Sequence, residues 1–472
     1  MATDRELDRD LEFAFFAART GSGPATWGQH AIWDVVRTLG SDAARYNVSG
    51  GGGVEPGLPA KRVLDALREL FLLHDSLRTT LHVDDAGQLE QRVHSSGRAV
   101  VVTRRCAPEQ VPAEADALLA RLAAAPFDFE HEWPARFGIV ESGGLVRHLV
   151  LALSHTAVDA WGLRHLVEDL SELSQGELSA QQLAQRRSGR LQPLDEARFQ
   201  ASDRGRRQDA AARRHWRTKL SVGPQRMFTA AGAESGAAPS DGNAPRPFPN
   251  ATFDSPALAL ALRKVTARHA VSSSSVLLAA TAAMTARLSG SPDAAFQVVV
   301  NNRFLPGLDG AVSTVAQEGL FHLAGADGDF SELVRRSFGS SLSTYRNAYY
   351  HKASLERDVA QLRAERDGIC DLTCFFNDTR GVVPGSRGTQ DEEPSEDLSK
   401  AALEGARART ALSWPTEFEP RSNTTFALDV LDTPGATGLS MTADSTLIPR
   451  ADMERLLYGI EDLVVGEAIA LG

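Results

Sequence analysis

The sequence predicts an α/β protein with two lobes. Its 472 residues exceed what one ordinary hydrophobic core encloses. Apolar residues recur with strand and helix spacing along both halves, and the pattern changes near Gly176. We therefore expect one lobe over residues 1–176 and a second over residues 177–472.

The first lobe is expected to alternate short strands and helices. Gly50–Gly53 is expected to form a flexible loop, because no Gly-Lys-Ser/Thr follows to make a phosphate cradle. Strand patterns cover residues 11–18, 79–83, 91–102, 136–140 and 147–153. Helical spacing covers residues 28–35, 59–74, 112–125 and a stretch starting near Ala160.

The second lobe begins after a basic helical stretch that runs to Leu220. Residues 229–249 and 391–400 are rich in Ala, Gly, Ser, Pro or acidic residues and are expected to be surface loops. Helices are predicted over residues 257–269, 274–288 and 449–465, and strands over 295–301, 371–376, 424–431 and 437–444.

The most informative segment joins a buried strand to a helix. Leu149–Leu153 is an uninterrupted apolar run, typical of a strand buried on both faces. Ser154 and His155 follow at once, and Asp159 precedes the next helix. A histidine on such rigid walls is a candidate general base. A hydrogen-bonded structural histidine is the alternative interpretation of the same pattern.

Composition excludes several classes of function. A net charge of -11 argues against nucleic acid as a partner, and no apolar run is long enough for a membrane span. Three cysteines without zinc spacing predict reduced thiols, no metal site and a cytoplasmic protein. Positive charge is nevertheless concentrated between Gln185 and Lys219, a stretch with eleven Lys or Arg residues and only four acidic ones. This stretch is either a solvated helix face or a docking patch for an acidic partner.

Several segments together resemble the condensation domains of nonribosomal peptide synthetases, which belong to the chloramphenicol-acetyltransferase-like superfamily. Residues 154–160, Ser-His-Thr-Ala-Val-Asp-Ala, resemble the family signature His-His-x-x-x-Asp-Gly. Other segments similar to family motifs occur in the expected order, at residues 27–33, 73–79, 126–136, 215–220, 302–306, 319–321 and 444–456. The resemblance spans nearly the whole chain.

The resemblance implies two acetyltransferase-like lobes in a V-shaped arrangement with a central tunnel. It implies an acyltransferase that joins a carrier-bound acyl or aminoacyl thioester to an amine or hydroxyl, in nonribosomal peptide or related natural-product biosynthesis. His155 is then the catalytic candidate, since imidazole titrates near neutral pH. Asp159 is implied to pair with an arginine, and Arg78 is the expected partner. No permanently bound cofactor is expected, because the carrier protein delivers phosphopantetheine.

Three departures from the family pattern leave alternatives open. Ser154 replaces the first histidine, Ala160 replaces a glycine whose N–H assists the oxyanion, and Leu73 replaces an arginine. Alanine keeps that N–H but resists a positive φ. The alternatives are an inactive recruitment or scaffold domain and an acyl-CoA-dependent acyltransferase.

The sequence shows no carrier or adenylation motifs, so a freestanding enzyme that meets its carrier in trans is expected. Carrier proteins are usually acidic, so docking is expected near Arg186, Arg206, Arg207 and Arg213. The sequence identifies neither donor nor acceptor, nor whether the product is an amide or an ester.

Overall fold

The computed structural model describes residues 10–176, 182, 185, 190–228, 248–382, 397–418 and 423–471. The chain forms two compact units. The first contains residues 1–207, 301–316 and 351–353, and the second contains residues 208–300, 317–350 and 354–472. The predicted boundary at Gly176 differs from this division, because the first unit continues to Arg207 and also includes two later segments.

The first unit contains a five-stranded sheet, in the order β1-β6-β7-β8-β3, and a three-stranded sheet, in the order β2-β5-β4. Its strands are β1 (Leu11–Phe16), β2 (Gly21–Pro24), β3 (Val48–Leu58), β4 (Thr79–Val83), β5 (Leu89–Val93), β6 (Ser96–Arg105), β7 (Ala135–Ser142) and β8 (Leu145–Leu153). Its helices are α1 (Trp27–Leu39), α2 (Ala60–Leu73), α3 (Val111–Ala123), α4 (Ala160–Gln175) and α5 (Pro193–Ala201). Short 3-10 helices cover Gly40–Tyr46, Asp75–Arg78 and Pro108–Gln110.

The predicted glycine loop is wrong, because Gly50–Gly53 lies within β3 and pairs antiparallel with β8. Glycine gives no side-chain periodicity from which a strand could be recognised. Close approach explains the residue type at Gly51, where a Cβ would lie 2.8 Å from the carbonyl oxygen of Leu149. The single strand predicted over residues 91–102 is two strands, β5 and β6, separated at His94 and Ser95.

Strand β8 lies inside its sheet, antiparallel to β7 on one side and to β3 on the other. Its last four residues, Val150–Leu153, are buried, as the apolar run predicts. Helix α4 follows, capped at its start by Asp159 and ended by Gly176, whose φ of 75° suits glycine. The signature turn is therefore held between a core strand and a capped helix.

The second unit contains a seven-stranded mixed sheet, in the order β11-β10-β12-β14-β15-β9-β13. Its strands are β9 (Phe248–Ser255), β10 (Ala294–Val300), β11 (Gln317–Leu323), β12 (Cys374–Asp378), β13 (Ala411–Phe418), β14 (Phe426–Thr433) and β15 (Ala436–Ala443). Helix α6 (Asp203–Val222) begins in the first unit and ends in the second. The remaining helices are α7 (Pro256–His269), α8 (Ser273–Ser289), α9 (Phe330–Arg346), α10 (Lys352–Glu365), α11 (Lys400–Arg407) and α12 (Arg450–Ala470).

The two loops predicted in this half fall mostly outside the described residues. The exceptions are the start of β9 at Phe248 and residues 397–400, which lead into α11. In the described ranges no single helix is long and apolar enough to cross a membrane. Helices α7 and α8 satisfy that criterion only as a pair, bent by 106°.

Candidate active site at the Ser154–Asp159 turn

Ser154 shapes the turn that follows β8. Its hydroxyl lies 2.8 Å from the hydroxyl of Thr156 and accepts a hydrogen bond from the Thr156 N–H at 3.2 Å. Its own N–H donates to the carbonyl of Pro134, and its carbonyl accepts from the N–H of Ala157. The serine is buried, and these contacts fix the conformation of the turn.

Asp159 fixes the other end of the turn and pairs with Arg303. Its buried carboxylate lies 2.9 Å from Nη1 and 2.8 Å from Nη2 of that guanidinium. It also accepts hydrogen bonds from the N–H groups of Gly162 (2.7 Å), Val315 (3.0 Å) and Ala316 (2.9 Å). Burial alone would raise the pKa of Asp159, but the Arg303 charge and these hydrogen bonds hold the pKa below its ordinary value.

The prediction that Arg78 pairs with Asp159 is wrong. Its guanidinium pairs with Asp75 and donates to the carbonyls of Phe71, Arg19 and His94. It therefore fixes the turn between α2 and β4. The prediction of a buried arginine on Asp159 holds, but the arginine comes from residues 301–316 of the first unit.

The segment 311–316 packs tightly against the turn and against the start of α1. A Cβ on Gly162 would lie 2.8 Å from Val158 Cγ2 and 3.1 Å from the Ser313 carbonyl oxygen. A Cβ on Gly28 would lie 1.8 Å from the Thr314 carbonyl oxygen. An added Cβ would therefore clash with the backbone at Gly28 and overpack its neighbours at Gly162.

A series of buried hydrogen bonds connects the segment 311–316 to α5. The Ser313 hydroxyl donates to Glu196 at 3.2 Å, and the side-chain amide of Gln200 donates to Glu196 at 3.0 Å. The oxygen of Gln200 accepts from the N–H of Trp27. Helix α5 thus belongs to the support of the site, which accounts for the continuation of the first unit beyond Gly176.

His155 is the titratable side chain that the turn presents. The residue is half-buried, and Nδ1 is buried without a hydrogen-bond partner among the described residues. The Thr314 hydroxyl donates to the His155 carbonyl, and the Tyr46 ring lies 5.8 Å from the imidazole, centroid to centroid. The backbone is therefore fixed while the imidazole retains hydrogen-bonding capacity. Such a group can accept a proton or anchor a polar reactant.

Ala160 is the exposed first residue of α4 and has no positive φ. The turn consequently does not need glycine at this position, and the alanine keeps its N–H without backbone strain. The structure thus brings Ser154, His155, Asp159 and Ala160 together on one turn and places Arg78 elsewhere.

An arginine from a distant part of the chain lies beside the segment that contains Leu73. His74, fully buried, bonds to Asp169 at 2.8 Å, and Arg190 pairs with the same carboxylate. Burial raises the pKa of Asp169, but the bonds from His74 and Arg190 lower it to about 2. Arg190 therefore supplies an ionic contact beside His74 in a chain that has leucine at residue 73.

Sequence reasoning missed Arg303, Thr314 and Tyr46 as residues of the site. Arg303 lies within the segment 302–306, which resembles a family motif and is predicted to belong to the second lobe. The motif thus carried a signal, although pairing over 144 residues cannot be inferred from local spacing. No sequence pattern distinguishes Thr314 or Tyr46.

The fold is mixed α/β, and its candidate histidine lies between a core strand and a capped helix. The family model of the Condensation domain matches residues 23–420, and the chain belongs to this family. Isonitrile lipopeptide synthase of Mycobacterium tuberculosis is 26% identical over 70% of this chain and 13% of its own length. The chain spans 2–13% of the lengths of the curated relatives that it matches.

Solved structures support the same fold. The condensation domain from the Monacolin K polyketide synthase MokA is similar with a TM-score of 0.70 and 17% identity, covering 95% of this chain and 98% of that one. A structure concerning condensation domain-mediated chain release from the enacyloxin polyketide synthase has a TM-score of 0.66 and 18% identity, covering 95% and 82%. The fold is that of condensation domains, with chloramphenicol-acetyltransferase-like architecture.

Proposed function

We propose that this chain is an active condensation enzyme that transfers an acyl or aminoacyl group from a carrier-bound phosphopantetheine thioester to an amine or hydroxyl. The acceptor nitrogen or oxygen attacks the thioester carbon, a C–N or C–O bond forms, and the C–S bond breaks. The acceptor proton ends on the departing thiol. His155 accepts that proton or anchors the acceptor, and the Ala160 N–H is the candidate donor to the oxyanion.

The observation that carries this proposal is the imidazole of His155. Its nitrogen Nδ1 has no partner in the described part of the chain, although the backbone of the turn is braced by Asp159, Arg303 and Thr314. A purely structural histidine in this position would be expected to use both ring nitrogens in hydrogen bonds. Ser154 and Ala160, the two departures from the signature, both fit the turn without strain.

The test is product formation from defined thioesters. The full chain is incubated with acyl carriers added as separate proteins, with the same acyl group on coenzyme A, and with amine or alcohol acceptors, and products are detected by mass spectrometry. We expect transfer from a carrier and its loss in His155→Ala. His148→Ala, which removes a half-buried histidine from β8, is the matched control and should retain activity.

The outcomes separate the alternatives. Transfer from coenzyme A alone identifies an acyl-CoA-dependent acyltransferase. Carrier binding without any transfer identifies a recruitment domain and contradicts the proposal.

Carrier docking on the basic stretch remains part of this proposal. Fewer of its arginines are free of ion pairs than the sequence suggests. Arg206 pairs with Asp203, and Arg213 pairs with Asp209 and Asp358. Arg186 lies outside the described residues. Arg207 is exposed and has no ion pair in the described ranges, so it is the strongest of the four candidates.

Docking is tested by the association rate of an acidic carrier. Arg207→Glu should slow association, and rising salt should weaken native binding. Arg335→Glu, in which an exposed arginine of α9 is reversed, controls for net charge. Equal association of the Arg207→Glu and Arg335→Glu proteins would contradict docking at this position.

A further inference from the structure

A shallow polar cavity of about 330 Å³, open to the surface, lies in the first unit between β2, β5 and the start of β6. Its polar side chains are those of Thr20, Ser22, Arg92, His94, Ser95 and Ser96. None of its eight lining residues is acidic, although the whole chain carries a net charge of -11. The cavity thus combines hydroxyl donors with an arginine and lacks a carboxylate.

The donors in this cavity are largely unused. Arg92 is exposed, and its guanidinium forms neither an ion pair nor a hydrogen bond with any described residue. The hydroxyls of Ser22, Ser95 and Ser96 likewise have no hydrogen bond within the described ranges. Thr20 differs, because its hydroxyl donates to the Val93 carbonyl at 2.8 Å. One guanidinium and three hydroxyls consequently remain available to a ligand.

The scaffold around Arg92 is ordered by sheet pairing. Arg92 stands opposite Ser22 of β2 on one side and Thr80 of β4 on the other. The Thr80 hydroxyl lies 2.8 Å from Nε2 of both His82 and His94. Burial lowers the pKa of His94, and the charges of Arg92 and Arg78 lower it further. His94 and Arg92 therefore line the same wall of the cavity.

We propose that this cavity is a binding site for a tetrahedral phosphate-type oxyanion, held by the Arg92 guanidinium and the hydroxyls of Ser22, Ser95 and Ser96. An arginine binds phosphate through paired N–H donors, and neutral hydroxyls complete the contacts without adding charge. The ligand is either inorganic phosphate or the phosphate of an ester. The proposal concerns a site apart from His155 and does not depend on the proposed transfer activity.

The test is binding of inorganic phosphate, sulfate and phosphopantetheine to the full chain by calorimetry at low salt, with no acyl donor present. We expect saturable binding of one phosphate per chain. Arg92→Gln should weaken binding at least about tenfold, because it removes the charged donor. Arg98→Gln, at an exposed arginine of β6 outside the cavity, removes the same charge and should leave the affinity unchanged.

The comparison of ligands identifies the source of the phosphate. Tighter binding of phosphopantetheine than of inorganic phosphate supports an ester site, and the reverse order supports a site for free phosphate. Absence of saturable binding by all three probes would overturn the proposal. Equal weakening by Arg92→Gln and Arg98→Gln would also overturn it, since it would indicate non-specific charge attraction.

Discussion

The turn after β8 in the first unit and the turn after β12 in the second are built on similar principles but carry different chemistry. Each strand lies inside its sheet, and an aspartate beyond or at the end of each strand pairs with an arginine. In the first unit the pair joins Asp159 to Arg303 across 144 residues. In the second, Asp378 pairs with Arg380, two residues away.

The side chains beside the two pairs differ. Asp378 also accepts from the Ser274 hydroxyl, and burial together with the charge of Asp378 raises the pKa of Tyr345 to about 12. Tyr345 therefore stays protonated near neutral pH. The first turn instead presents His155, whose Nδ1 lacks a partner among the described residues. An ion pair therefore braces the chain after a central strand in both units, and the histidine marks the turn for which we propose a function.

The largest expected effect on stability comes from breaking the long-range pair. Asp159→Ala and Arg303→Ala should each lower the free energy of unfolding by about 3–5 kcal/mol, because each leaves a buried charge unpaired. The double variant should lose much less than the sum of the two losses. Chemical denaturation of the three variants measures this coupling.

Arg78→Ala provides the control for that cycle. Arg78 is also buried, but it pairs with Asp75, so its stability loss should add to that of Asp159→Ala. Non-additivity with Arg78, and additivity with Arg303, would contradict the assignment of Arg303.

Acidification should weaken the first unit through Asp169 and His74. The pKa of Asp169 is about 2, so its contribution is fully present above its ordinary value of about 4 and is lost as pH falls toward 2. Burial lowers the pKa of His74 in the folded chain. As pH falls, His74 is therefore protonated in the unfolded chain before it is protonated in the folded one, and stability again falls. Together these groups should contribute about 2 kcal/mol or more at neutral pH.

Denaturation at successive pH values from neutral to acidic measures this loss. Asp169→Asn should lower stability at neutral pH and flatten its dependence on pH. An unchanged slope in Asp169→Asn would assign the acid sensitivity to other groups.

Gly162→Ala should destabilise the protein by about 1–3 kcal/mol through overpacking against Val158, Arg303 and Ser313. Gly339→Ala is the matched control, at an exposed position within α9 where an added Cβ meets nothing within 4 Å. That change should be neutral or stabilising by up to about 1 kcal/mol, since alanine favours the helix. Thermal melts distinguish the two, and equal Tm shifts would contradict the tight packing of the signature turn.

The smallest effect is expected at the second turn. Arg380→Gln should lower stability by only about 0.5–1.5 kcal/mol, because the pair is local and hydrogen-bonding partners remain. Acyl transfer should stay at the native rate. A transfer defect as large as that of a signature-turn variant, measured in the same assay, would remove the contrast between the two turns.

Local pattern was sufficient to predict much of the fold. The strand over residues 79–83 has the predicted bounds, and helices α2, α7 and α8 begin within one residue of those expected. These segments have regular apolar spacing, which reports one buried face. The glycine-rich strand β3 has no such spacing and was missed.

The site was predictable only where its residues are contiguous. The turn from Ser154 to Ala160 follows from a buried strand and a capped helix. The partner of Asp159 depends on tertiary packing across 144 residues, and charge density on α6 gave no sign that Asp358 and Glu365 pair with Arg213 and Arg217. Long-range pairing of charges is set by the fold and leaves no local periodicity.

The rate of a single turnover tests most directly whether acyl transfer depends on the first turn, through His155, and not on the second. The measurement compares acyl transfer from a loaded carrier by the native chain, His155→Ala and Arg380→Gln, alongside their Tm values. We predict that His155→Ala lowers the rate about 10²–10⁴-fold with the native Tm, because it removes a positioned acid–base group. Arg380→Gln should transfer at the native rate. A native transfer rate in His155→Ala would contradict the account.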